Sequence, residues 1–295
     1  MQLPETNASA HANARAVHLD HIGFIVRDLE QVAMLISQLG FCQTRRADHT
    51  RTDSRGAVVS AGSAQRSVML HNGYIEFMQI TDPLAGHQLT PALAVRHGLH
   101  VLALGSNDAA ACRAALASAG VALGPLLHWS RQINEADCQG EARFCYFDSR
   151  WEAHDPSYIC WVQHLTPELM RPPHLLQHDN QSLGLSALVY RGPQPLAEAW
   201  VAQLLASGAQ QALPCAGGVD VVYPNARISV EFDSALQRVL PSAIGLTLQD
   251  TRWLRTRCAR LGLPLRELDG GAFALDLQQQ LGVDWIFRPA PGRTP

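Results

Sequence analysis

Three side chains far apart in the sequence, His21, Glu76 and His100, are of the types that hold a transition metal. His21 falls in the run Leu19-Asp20-His21-Ile22-Gly23-Phe24-Ile25-Val26, whose composition predicts a β-strand. Alternation along a strand puts His21, Gly23 and Ile25 on one face and Ile22, Phe24 and Val26 on the other. Glu76 lies in Tyr74-Ile75-Glu76-Phe77-Met78-Gln79-Ile80, directly after the hairpin pair Asn72-Gly73. A carboxylate among Ile75, Phe77 and Met78 is costly to bury without a partner, and an ion shared with His21 would supply one. His100, in Gly98-Leu99-His100-Val101-Leu102-Ala103-Leu104, reads as the counterpart of His21 in a second strand of the same kind. Two imidazoles and one carboxylate, with positions left open for substrate or water, suit Fe, Mn, Ni, Co or Zn and do not distinguish among them. Plainer readings compete. A strand histidine is often only a hydrogen-bonded core or surface residue, Glu76 could pair with Arg66 or Arg45, and His97 beside His100 shows that histidines are common here.

A base is also available. In Tyr158-Ile159-Cys160-Trp161-Val162-Gln163-His164, residues Cys160, Val162 and His164 share a face. His164 could reach the same site as a fourth ligand or as a proton-transfer base, since imidazole titrates near neutral pH. It could equally cap the turn Thr166-Pro167-Glu168, and Cys160 reads as a buried thiol. His49 and Gln65 could touch a substrate, His178 and Asn180 could close over it, and Arg131 or Arg143 could pair with a substrate carboxylate. There is no GxGxxG, Walker loop, GxSxG or HExxH, so nucleotide-dependent chemistry and serine hydrolysis find no support.

The elements that would position these residues recur four times. The first copy is a strand at 19–26, an amphipathic helix at 28–39 with apolar residues near a 3.6-residue period, Gly40 as its stop, β-rich runs at 56–61 and 67–70, and the strand 74–80. The second has strand 98–104, Asn107 as N-cap, helix 109–119 with Gly120 after it, an irregular segment 124–140, and strands 142–147 and 158–164. The proline-bearing stretch 167–180 reads as a connector. The third copy runs through strand 183–190, helix 196–207, Gly208 and strands 219–223 and 227–232. The fourth runs through strand 243–248, helix 251–261, Gly262 and strands 271–277 and 283–287. The expected class is α+β, four βαβββ modules paired into two curved-sheet domains. The expected division is a tail at 1–16, a metal-bearing domain at 17–166, a connector at 167–182 and a domain at 183–295. In the second domain the corresponding positions read Ser186, a residue near Ile244, Ser229 or Glu231, and Trp285, from which no metal triad can be built. That half is expected to be a metal-free partner, lid or dimer surface.

The 295 residues are 47% hydrophobic and 17% charged, enough apolar content for two cores. A net charge of -3 without a basic run argues against nucleic acid as a partner. No apolar run approaches the ~20 residues of a bilayer-spanning helix, and residues 1–15 lack the apolar centre of a signal peptide. Seven scattered cysteines, an odd number with no CxxC, fit reduced thiols in a cytoplasm.

The βαβββ repeat, with its histidine in LDHIGFIV and its glutamate in GYIEFMQI, resembles the vicinal oxygen chelate superfamily and within it the glyoxalase-like domain proteins. The resemblance implies paired modules forming a cup, with one divalent metal held by strands of both modules. Relatives often carry a carboxylate on the last strand of the second module, where this chain has Cys160; the usual acid/base carboxylate of a glyoxalase is therefore missing. The leading expectation is a metal-dependent isomerase or lyase acting on a small molecule with vicinal oxygens, using His21, Glu76 and His100 for the metal and His164 as base. The alternatives are an Fe(II) extradiol-type ring-cleaving dioxygenase and a non-enzymatic small-molecule binding protein. A homodimer is compatible with any of these.

Overall fold

A computed structural model describes residues 17–291 except 53, 54, 86, 88 and 136, so the tail expected at 1–16 lies outside the described residues. The chain forms two eight-stranded sheets of one topology. The first contains β1 (His18–Ile25), β2 (Ala47–Thr52), β3 (Val58–Leu70), β4 (Gly73–Ile80), β5 (Gly98–Gly105), β6 (Leu127–Glu135), β7 (Cys138–Asp148) and β8 (Tyr158–His164). Its order is β2-β3-β4-β1-β5-β8-β7-β6. The second contains β9 (Ser182–Gly192), β10 (Gln211–Cys215), β11 (Gly218–Tyr223), β12 (Ala226–Phe232), β13 (Leu240–Leu248), β14 (Leu265–Glu267), β15 (Phe273–Leu277) and β16 (Val283–Pro289). Its order, β10-β11-β12-β9-β13-β16-β15-β14, repeats the first. Four main helices follow the first strand of each module: α1 (Leu29–Gln38), α2 (Ala109–Ser118), α3 (Gln194–Ala206) and α4 (Arg252–Arg260). The architecture is thus the expected α+β arrangement of four βαβββ modules. Among the described residues no helix is long and apolar enough to cross a membrane.

Local chemistry explains the helix starts. Asp28 caps α1 by accepting from the backbone N–H groups of Glu30 and Gln31 at 3.0 and 2.9 Å. Asp108, rather than Asn107, caps α2 through the Ala111 N–H at 2.9 Å. In each module the sequence misses the short strand that becomes a sheet edge: β2, β6, β10 and β14. These edges are short of apolar residues; β2 reads Ala-Asp-His-Thr-Arg-Thr and β6 is largely exposed. The two runs expected at 56–61 and 67–70 are parts of one long strand, β3.

The face of each sheet that carries the helices belongs to one continuous core. Ile22, Phe24, Ile75 and Phe77 of the first sheet join Ile228, Ile244, Trp285 and Phe287 of the second, together with Leu29, Ile36, Trp200 and Leu254 from the helices. Trp285 stands 5.6, 6.3 and 6.4 Å, ring to ring, from Phe41, Phe24 and Phe77. Two asparagines brace the sheets. Asn72 exchanges two hydrogen bonds with the backbone of Leu185, at 2.8 and 2.9 Å. Asn225 does the same with Leu19, at 2.9 and 2.8 Å.

Register relates the modules residue by residue. Ile22 pairs with Ile75 on one side and Leu102 on the other, and Leu102 pairs with Ile159. His21 therefore corresponds to Val101 and Glu76 to Cys160. In the second sheet Leu188 pairs with Ile228 and Ile244, and Ile244 with Trp285. The matching positions there are Ala187, Ser229, Ala243 and Ile286. Ser229 is among the positions expected from sequence, and Ala243 is the residue near Ile244; Ser186 is displaced by one residue, and Trp285 is a core residue.

Candidate active site

The concave face of the first sheet walls a cavity of about 550 Å³. His21 and Glu76 both line it, as their strand faces predict. Gly23 separates them from the other half of the sheet; a Cβ there would lie 2.8 Å from Val101 Cβ and 3.5 Å from Glu76 Oε2. His21 stacks on Tyr74 with ring centres 4.2 Å apart and planes 17° from parallel.

The group that organises this end of the cup is Asp20, a residue that strand alternation places on the opposite face from His21. The β1–β5 register skips Asp20, between Leu19 and His21, so it is a bulged residue and its side chain is free to turn. It is 1% exposed. Its Oδ2 lies 2.8 Å from His21 Nδ1 and 3.2 Å from His164 Nε2. Burial pushes the Asp20 carboxyl up, but the hydrogen bonds from His164 and His21 outweigh it and hold the group well below the carboxylate range. An ionised carboxylate only accepts, so His21 Nδ1 and His164 Nε2 carry the protons. In the neutral form of His21 the lone pair is then on Nε2, on a ring that lines the cup. His164 also lines the cup, but its spare nitrogen, Nδ1, is buried without a partner. A signal for Asp20 was present in the sequence: an acid inside a strand whose neighbours Leu19 and Ile22 are apolar must have a partner.

His100 is not brought to His21 and Glu76. It is 1% exposed, does not line the cavity, and its Nε2 lies 3.0 Å from the Arg96 carbonyl. Burial and then the Arg96 charge lower its pKa to about 3. The physical reason is a shift of one residue. His21 stands seven residues before its cap, Asp28, and seven before Asp108 is Val101; only with Asn107 as cap does His100 fall in that place. His100 is the skipped residue of β5, between Leu99 and Val101, and corresponds to Asp20.

The other candidates separate in the same way. Glu76 forms no ion pair with Arg66, which reaches Glu30 at 3.0 Å, or with Arg45. Instead Gln65 donates to Glu76 Oε1 and, at 3.2 Å, to His49 Nε2, and accepts from Arg131 at 3.1 Å. Because Nε2 of His49 accepts, its Nδ1 donates to Ser63 Oγ at 2.8 Å, which leaves Ser63 unactivated as a nucleophile. Cys160 lines the cup, but burial, followed by the Glu76 and Asp148 carboxylates, raises its thiol pKa far above the usual value and keeps it protonated. His178 and Asn180 do not cover the cup. His178 joins the Cys42 N–H to the Met69 carbonyl, and Asn180 joins the Leu39 carbonyl to the Ser182 N–H. Arg143 is exposed and outside the cavity wall, whereas Arg131 lines it.

These donors do not fit a resident metal ion. His21 and Glu76 supply two ligands, the module-related positions supply an aliphatic Val101 and a neutral thiol, and among the described residues no group of three His, Cys, Asp or Glu side chains is placed to hold an ion. The observed arrangement can hold and move a proton at His21 Nε2, with Asp20 fixing the tautomer and stabilising the imidazolium.

Solved structures share the fold. The chain is similar to a hypothetical protein from Staphylococcus aureus (11% identity, TM-score 0.65, covering 93% of this chain and 100% of that one). It is also similar to a 4-hydroxymandelate synthase mutant from Streptomyces coelicolor (10%, 0.57, 92% and 93%). A third likeness is to a fusion of a xylose isomerase-like TIM barrel with 4-hydroxyphenylpyruvate dioxygenase (13%, 0.55), where it covers 94% of this chain and spans about half, 49%, of the fusion. No curated protein matches the sequence. The model of the glyoxalase-like domain matches residues 19–206, across the whole first sheet and into the second, and the chain belongs to the glyoxalase-like domain family.

Proposed function

We propose that the protein is an enzyme of isomerase or lyase type that moves a proton on a small, oxygen-bearing organic molecule held in the first-sheet cup. The observation that carries this reading is the buried Asp20 carboxylate between His21 and His164. His21 Nε2 takes a proton from a carbon next to a carbonyl, and the Asp20 charge offsets the charge of the imidazolium. The proton returns to the neighbouring carbon in an isomerisation, or stays on His21 until a leaving group departs in a lyase reaction. Such a positioned base contributes roughly 10²–10⁴-fold. His164 shares the carboxylate and positions it. Seven free cysteines support a reducing, cytoplasmic setting.

The test is proton–deuterium exchange, followed by NMR in D₂O, on a panel of small 2-hydroxycarbonyl compounds. Exchange with the native protein that falls by about two orders of magnitude or more in Asp20→Asn and His21→Gln supports the reading; exchange that survives both changes overturns it.

A metal-dependent reading, whether isomerase, lyase or Fe(II) dioxygenase, has one observation in its favour. A histidine whose second nitrogen is held by a carboxylate, beside a glutamate in the same cavity, is also how metal ligands are oriented. Elemental analysis of the purified protein decides. About one metal per chain, lost in His21→Ala together with turnover, would replace the proton-transfer reading, and oxygen-dependent turnover of a catechol would select the dioxygenase. A ligand-binding protein would bind panel compounds without exchange.

A further inference from the structure

We infer that the cup takes an organic carboxylate, with Arg131 receiving the anionic group and the aromatic wall around Trp129 seating the apolar body; this rests on the cup being the substrate site. Arg131 lies on β6 and lines the cavity, half-buried. Among the described residues no carboxylate stands within ion-pair distance of it, and its contact is the Gln65 amide oxygen at 3.1 Å. The other arginine of the wall, Arg46, is already compensated by Asp48 at 3.0 Å and Glu30 at 3.6 Å. A partly desolvated cation without a counter-ion is unfavourable, so an anion from outside is stabilised there.

Gln65 fixes the chemistry of this wall. Its amide nitrogen serves Glu76 and His49 while its oxygen serves Arg131. The nearby carboxylate is therefore engaged by an amide and does not neutralise the guanidinium. One N–H of Arg131 is used to orient the group, and the remaining donors of the planar fork match the two oxygens of a carboxylate. Beside it Trp129, 40% exposed, meets the Tyr146 ring edge-on at 5.8 Å, and Phe144 is its cross-strand partner. This exposed aromatic surface faces the cavity and suits a flat or extended apolar body. The substrate would then run from its charged end at Arg131 to its reacting carbon at His21.

The test uses two probes of one shape, 2-naphthoate and the uncharged 2-naphthamide, titrated calorimetrically into the full-length protein. The native protein is expected to bind the carboxylate about tenfold or more tightly than the amide. Arg131→Gln should bring the two affinities together, Arg131→Lys should keep part of the preference, and Arg46→Gln should keep all of it. Equal affinities in the native protein, no binding of naphthoate at millimolar concentration, or a preference that survives Arg131→Gln would each overturn the inference. Asp20→Asn separates it from the proton-transfer reading: naphthoate binding is retained while exchange is lost. Exchange that persists in Asp20→Asn, with binding still dependent on Arg131, would sink only the proton-transfer reading.

Discussion

Asp20 and His100 are the same residue of successive modules: each is the skipped, bulged position where β1 and β5 pair, and each is 1% exposed. The bulge turns Asp20 toward His21 and His164, whereas His100 turns to the Arg96 carbonyl. One buried polar position thus serves the cup in the first module and the fold in the second, and substitutions at the two should separate activity from stability.

Asp20→Asn keeps the shape but presents an amide where both imidazoles donate. We expect about 1–3 kcal/mol of lost stability from the replaced charge-assisted hydrogen bonds, measured by urea unfolding. The loss of exchange should be far larger than that fraction of unfolded protein explains. A variant that unfolds outright at neutral pH would contradict this.

His100 makes the fold acid-sensitive. Its pKa in the folded chain is about 3, below the ordinary 6.5. The unfolded chain therefore takes up a proton below pH 6.5 that the folded chain refuses until about pH 3. The stability is complete above 6.5 and declines as pH falls, by up to about 1.4 kcal/mol per pH unit for such a group. His87, lowered to about 4 by burial and then by His49, acts in the same direction. Unfolding midpoints of native protein and His100→Phe between pH 7.5 and 5 should show a shallower decline in the variant.

Gly23 keeps the cup open at the contact between modules. Because Val101 Cβ is fixed by its backbone, Gly23→Ala forces two Cβ atoms to within 2.8 Å unless β1 and β5 shift. The expected cost is about 1–3 kcal/mol, as for other overpacked sites. Val101→Ala removes the second contact, Cγ2 at 2.9 Å, but leaves this Cβ in place, so it should restore less of the loss than Val101→Gly; thermal unfolding of the two double variants checks this.

Asn225→Ala leaves the Leu19 N–H and carbonyl without their side-chain partners, together with the Asn72 carbonyl at 3.2 Å. A loss of about 1–3 kcal/mol is expected. Because one core joins both sheets, the variant should still unfold in a single transition by both fluorescence and circular dichroism. Two separated transitions would show the halves to be independent.

Much of this could be read from the chain. The fourfold repeat is legible because a left-handed glycine follows each main helix, and strand alternation, which is short-range and strict, puts His21 and Glu76 on the face that lines the cup. What could not be read depended on single-residue offsets. His100 and Val101 are adjacent in a strand of the same kind as that of His21, and only the register gives the place to Val101. A bulge leaves no mark in the residue pattern, so the sequence signals that Asp20 needs a partner but not that its side chain turns toward His21 and His164. The edge strands are hard to read because they pack little against the core and carry few apolar residues.

The paired asparagine braces carry one further meaning. By strand register Asn72 and Asn225 are equivalent, and so are Leu19 and Leu185, so each asparagine grips the leucine that belongs to the other. Such reciprocity is what a two-fold axis imposes on an isologous contact between identical subunits. The polypeptide contains, in covalent form, the kind of contact that two identical half-length chains make across a two-fold axis.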